Sequence, residues 1–70
     1  MSARELEQRY EIRVRGRLSE AVAESFDPLD ARVAASETVL SGPVRDQAGL
    51  YGLLDRVQEL GLELLAVRRL

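Results

Sequence analysis

From Tyr10 the chain alternates. Tyr10, Ile12, Val14, Gly16 and Leu18 fall on one side of a period of two, with Glu11, Arg13, Arg15 and Arg17 on the other. Only an extended strand puts every second residue on the same face, so this run demands a sheet with one apolar and one polar side. A single such strand is not stable alone. The rest of the chain must supply its neighbours and the layer that covers its apolar side.

The elements that follow can be read in order. Ser19 suits a helix N-cap, and Leu18, Val22 and Phe26 recur every fourth residue, which predicts a short helix over Ser19 to Phe26. Asp27-Pro28 should stop it, because the residue before proline is pushed out of the α region. Asp30 to Ala35 and Glu37 to Val44 read as a hairpin turning near Ser36-Glu37, its register left open by the Ala-rich first arm. Gly42-Pro43 is expected to end the second arm, since proline has no donor for the ladder. Asp46 is a good N-cap for a second helix, whose stripe is Leu50, Leu53, Leu54, Val57 and Leu60. Gly61 is placed to close it in the left-handed conformation, and Leu62 to Leu70 forms a final strand.

This order, β-α-β-β-α-β, predicts an α+β ferredoxin-like domain: a four-stranded antiparallel sheet with two helices on one face and the other face open. Residues 1–9 read as a polar lead-in and residues 10–70 as a single domain. Within the second helix, Gly49 and Gly52 each cost about 1 kcal/mol relative to alanine, which points to close backbone approach by the sheet or another subunit. Tyr51 between them lies off the leucine stripe, either as an exposed anchor or on the rim of the core.

Composition narrows the chemistry. The 70 residues include only three aromatics, Tyr10, Phe26 and Tyr51, so the core rests on Leu, Val and Ala. There is no cysteine for a disulfide and no His/Cys cluster for zinc, which leaves oligomerisation as the common staple for so small a core. No cofactor is expected. Lack of histidine and cysteine removes the commonest general base and the thiol nucleophile. The carboxylates Glu20, Glu24 and Asp27 are scattered, and Asp55 and Glu59 read as a solvated helix face. The reading is therefore non-enzymatic. A net charge of −2 argues against nucleic acid, as does an open face without aromatics on which bases stack. No apolar run approaches the roughly 18–20 residues of a membrane span. Met1 to Arg9 is polar, unlike a secretory signal, so a cytoplasmic location is expected.

The last strand is apolar on both sides. Simple alternation puts Leu64 and Ala66 on one face and Leu65 and Val67 on the other, unlike a half-solvated strand. A partner is expected to cover it. The interface candidates are Arg13, Arg15 and Arg17 on the open face, Leu64 and Ala66 on the last strand, and Tyr51. The partner expected is a second copy, giving a homodimer or higher homo-oligomer, or another protein. The simpler reading of the arginines is a solvated face paired with Glu11. Gly42-Pro43-Val44 leading to Asp46-Gln47 offers a helix N-terminus to an anion, but Asp46 would occupy those donors and repel the ligand.

Gly42-Pro43-Val44, Asp46-Gln47-Ala48, Leu50, Gly52-Leu53-Leu54 and Leu60-Gly61-Leu62 resemble a group of short bacterial proteins, frequent in actinobacteria and mostly described as hypothetical. Tyr10-Glu11-Ile12-Arg13-Val14 followed by Gly16 fits the same group. That resemblance implies the same element order and a bacterial, intracellular origin, and it transfers no active site. By element order the chain is also similar to ACT-type regulatory domains, which bind small molecules at subunit interfaces. This similarity implies an alternative function, a small anionic ligand held between subunits near Arg13, Arg15 and Arg17. Gly16-Arg17-Leu18-Ser19 stands where such domains have a Pro-Gly-like lead into the first helix.

Overall fold

The structure, a computed structural model, describes residues 8–70. Its elements are β1 (Gln8–Arg15), α1 (Glu20–Glu24), β2 (Asp30–Val33), β3 (Glu37–Val44), α2 (Gln47–Glu59) and β4 (Leu64–Arg69). Most of the expected lead-in, residues 1–7, lies outside the described residues. Gln8 and Arg9 belong to β1 instead, opposite Val44 and Pro43.

The four strands form one antiparallel sheet in the order β2-β3-β1-β4. In the two central strands Ile12 lies opposite Leu40, Val14 opposite Thr38 and Tyr10 opposite Gly42. This set faces the helices. Ile12, Val14, Leu40 and Val44 meet Phe26, Leu29 and Val57, with Val22 of α1 and Leu50, Leu53 and Leu54 of α2 packed against them. Phe26 is the largest fully buried side chain and anchors the turn after α1.

The helix ends follow local chemistry. The Ser19 hydroxyl accepts from the Val22 N–H at 3.3 Å, and the Asp46 carboxylate accepts from the Gly49 N–H at 2.7 Å. α2 closes with Gly61 at φ 71°, the Gly61 N–H donating to Gln58 O and the Leu62 N–H to Val57 O, each at 3.0 Å. That pair of bonds is a Schellman motif, and Leu62 joins Val57 in the core.

Five local expectations are corrected. β1 stops at Arg15 because Gly16 turns the chain at φ 92°, a left-handed conformation open to glycine, so Arg17 leaves the strand for the loop. Buried Thr38 holds that loop: its hydroxyl donates to Gly16 O at 2.8 Å and accepts from the Leu18 N–H at 3.1 Å. Second, α1 has five residues, and tight turns carry the chain on to Phe26. The hairpin turns at Ala35-Ser36, with the Ala34 N–H donating to Glu37 O at 2.8 Å.

Third, Pro43 does not end β3. Arg9 opposite it spends its backbone carbonyl on the Leu70 N–H in β4's direction, so Pro43 faces the β2 side, where β2 begins only opposite Ser41. Gly42 beside it is required by close approach. A Cβ there would stand 3.0 Å from Leu29 Cα and 3.1 Å from Pro28 O. Fourth, the sheet does not approach both helical glycines: a Cβ on Gly49 would lie 3.3 Å from Asp46 Oδ1 and 3.4 Å from Val44 Cγ1, whereas within the chain Gly52 faces open space. Fifth, β4 carries a bulge. Ala66 sits opposite Arg13 but Leu64 sits opposite Val14, so Leu65 is an extra residue. The bulge moves Leu64 to the helix side and parts it from Ala66.

Candidate functional site

The side of the sheet away from the helices is a layer of matched charges. Glu11, Arg13 and Arg15 of β1 share it with Glu37, Val39 and Ser41 of β3, Asp30 and Arg32 of β2, and Ala66 and Arg68 of β4. Arg13 donates from Nε to Glu11 Oε1 at 2.9 Å and from Nη1 to Glu37 Oε1 at 2.6 Å. Arg68 donates from Nη2 to Glu11 Oε2 at 3.2 Å. The chain Glu37–Arg13–Glu11–Arg68 thus links three strands, and Arg15 ties β1 to the lead into β4 through Glu63 at 2.7 Å.

Electrostatics follows the geometry. The hydrogen bond from Arg13, helped by the charge of Arg68, holds the Glu11 carboxyl below its ordinary range against the opposing effect of burial. Glu11 and Glu63 in turn keep Arg13 and Arg15 more firmly protonated. Val39, flanked across the sheet by Arg13 and Arg32, is only 4% exposed. Arginine stems on either side can shelter such a residue while their heads reach solvent.

The six sequence-predicted positions do not form one surface. Arg13, Arg15 and Ala66 lie on the charged face, Leu64 at the helix side of β4, and Arg17 in the loop after Gly16. Tyr51 stands on α2, 59% exposed, an outward residue and not a rim of the core. Arg13 and Arg15 each already contact a carboxylate, so they do not converge on an empty anion site.

The feature that alternation undervalued is the β4 edge. Among the described residues β4 has a strand on one side only, and all six of its residues are exposed. Leu64, Leu65 and Val67 keep 44%, 39% and 39% of their surface in water, and Leu60 and Leu70 beside them are also exposed. α2 lies over the centre of the sheet and leaves a cavity of about 320 Å³ beside β4, lined by Leu54, Asp55, Val57, Gln58, Leu62 and Leu64. The two-faced apolar run was visible in the sequence; its place at an edge was not.

A family model described as a domain of unknown function, DUF8691, matches residues 9–68. The chain belongs to this family. The DUF8691 match runs from Arg9 in β1 to Arg68 in β4, so it takes in both helices and all of the sheet but its two terminal residues. No curated protein and no solved structure shows a significant match.

Two further hollows open on this DUF8691 domain. One of about 280 Å³ is lined by Pro28, Leu29, Pro43, Val44, Arg45, Gly49 and Leu53 at the start of α2, where Asp46 already accepts the Gly49 N–H. The other, about 460 Å³ between α1 and β2, is rimmed by Glu20, Glu24, Asp27 and Asp30. Among the described residues no three acidic groups converge to hold a metal ion, and no helix is long and apolar enough to cross a membrane.

Proposed function

We propose that this DUF8691 domain is a non-enzymatic interaction module that works as a homodimer or higher homo-oligomer. The observation that carries the reading is β4, an apolar strand exposed at every position on the edge of the sheet. Such an edge offers unpaired backbone groups beside apolar side chains, the combination that favours pairing with another chain. Covering it gains roughly 25 cal/mol for each Å² of apolar surface removed from water.

Taken from the β4 side the strand order is β4-β1-β3-β2, which supports assigning the domain to the ferredoxin-like group. The contact surface is moved by this reading from the middle of the open face to its β4 margin, because the central arginines are already matched. A small anion held by Arg13, Arg15 and Arg17 has less support, since two of the three donate to carboxylates and Arg17 lies beyond Gly16.

Sedimentation equilibrium over a wide concentration range tests the proposal. A dimer or larger species is expected. A protein that stays monomeric throughout would remove the reading.

A further inference from the structure

We infer that β4 pairs antiparallel with β4 of a second copy, with Ala66 at the two-fold axis, joining two four-stranded sheets into one of eight strands. The inference rests on the homo-oligomer reading above and specifies its geometry. Three observations lead to it.

The first is backbone chemistry. The Arg15 N–H donates to Glu63 O and the Leu70 N–H to Arg9 O, so alternate groups at the two ends of β4 turn inward to β1. In an antiparallel ladder the intervening groups point the other way. Among the described residues nothing in the sheet lies beyond them. A second strand would satisfy these groups with new ladder bonds.

The second is the contrast with the opposite edge. β2 has only four residues, two of them the charged Asp30 and Arg32, and it follows Pro28. Short length, charge and proline are the devices that discourage edge pairing. β4 has six residues and begins Leu64-Leu65-Ala66-Val67, with charge confined to its end.

The third is self-complementarity. Glu63 precedes β4, and Arg68-Arg69 closes it. With Ala66 on the axis and Leu65 bulged out of the ladder, antiparallel pairing sets Leu64 opposite Val67 of the second copy on the helix side and Glu63 opposite its Arg68 on the charged side. Apolar side chains then meet apolar ones, and acid meets base. Parallel pairing would stack like on like. Moving the axis to Val67 would set Ala66 against Arg68 and Leu64 against Arg69, apolar against charged. Ala66 is also the smallest side chain of the strand, which suits the one position that meets itself. The bulge at Leu65 keeps the regular ladder short, so the dimer should be concentration-dependent. The new strand would also wall the open side of the groove between α2 and β4.

The chain has no cysteine, so single introduced thiols report the geometry directly. Ala66→Cys is compared with Arg32→Cys at the β2 edge and Tyr51→Cys on α2, under mild oxidation. Opposed Cα atoms in an antiparallel pair are about 4.5–5.5 Å apart, within the roughly 4.4–6.8 Å that a disulfide spans. Ala66→Cys should form a covalent dimer at least about tenfold faster than the other two, given that geometric demand. Equal rates in all three, or an uncrosslinked Ala66→Cys in a protein that sediments as a dimer, would overturn the strand pairing and leave homo-oligomerisation standing. A parent that is monomeric at every concentration would overturn both.

Discussion

The two edges of the sheet are equally exposed and chemically opposite. Every residue of β2 and every residue of β4 is open to solvent. Yet β2 is short, places Asp30 and Arg32 on the charged face, and is led in by a Pro28-Leu29 segment seated against Gly42. β4 is longer and carries its charges only at the end, so its middle is apolar on both faces. Exposure alone therefore does not mark an interaction surface. What marks it is an unpaired backbone edge together with side chains that lose nothing by leaving water.

Matched substitutions give the largest test of that contrast. Val67 and Val33 are 39% and 43% exposed, one on each edge. Val67→Glu should weaken self-association by roughly a hundredfold or more, the consequence of about 3 kcal/mol for an unpaired carboxylate in a buried contact. Val33→Glu should leave association unchanged, and sedimentation equilibrium reads both. If the two variants behave alike, the two edges do not differ in their tendency to pair.

Smaller effects sharpen the picture. Gly42→Ala forces a methyl group against the Leu29 and Pro28 backbone, and overpacking of this kind costs about 1–3 kcal/mol. Urea unfolding should show that loss, with faster amide exchange in β2 and association at β4 intact. Gly52→Ala should act in the opposite direction, stabilising the domain by up to about 1 kcal/mol, because its added methyl meets open space in a helix interior. Thermal melting measures it, and neither edge should respond.

The smallest expected effect concerns how β4 is attached. Glu11 is lowered below its ordinary value chiefly by the hydrogen bond from Arg13, so the folded state binds its proton less tightly than the unfolded chain does. Its contribution to stability is present above the ordinary carboxylate range and is lost as pH falls through the lowered value. Glu11→Gln should therefore melt below the parent near neutrality, with the difference shrinking under acid. A gap that is constant with pH would mean that the ion pairs to Arg13 and Arg68 contribute nothing to the fold.

Much of the fold was legible because its signals are local. The alternation from Tyr10 to Val14, the caps at Ser19 and Asp46, and the Gly61 stop each depend on residues within a turn or two of one another. The misjudged points depend on distant neighbours. Pro43 is tolerated because β2 stops short of it, Gly42 is needed because Leu29 arrives there, and Gly52 is free because nothing does. For the candidate site, the apolar character of Leu64 to Val67 could be read directly. The bulge that separates Leu64 from Ala66 could not, since it arises from pairing with β1.

The sequence by itself determined the element order, the two helix N-caps, the Gly61 stop and the material of the core, because periodicity and capping are set by covalent neighbours. Tertiary structure alone decided which strand lies at an edge and which charges meet. Glu11 and Arg68 are 57 residues apart, and Arg15 and Glu63 are 48 apart. Only sheet assembly brings such pairs within hydrogen-bonding distance, and the same assembly leaves β4 with one side unpaired.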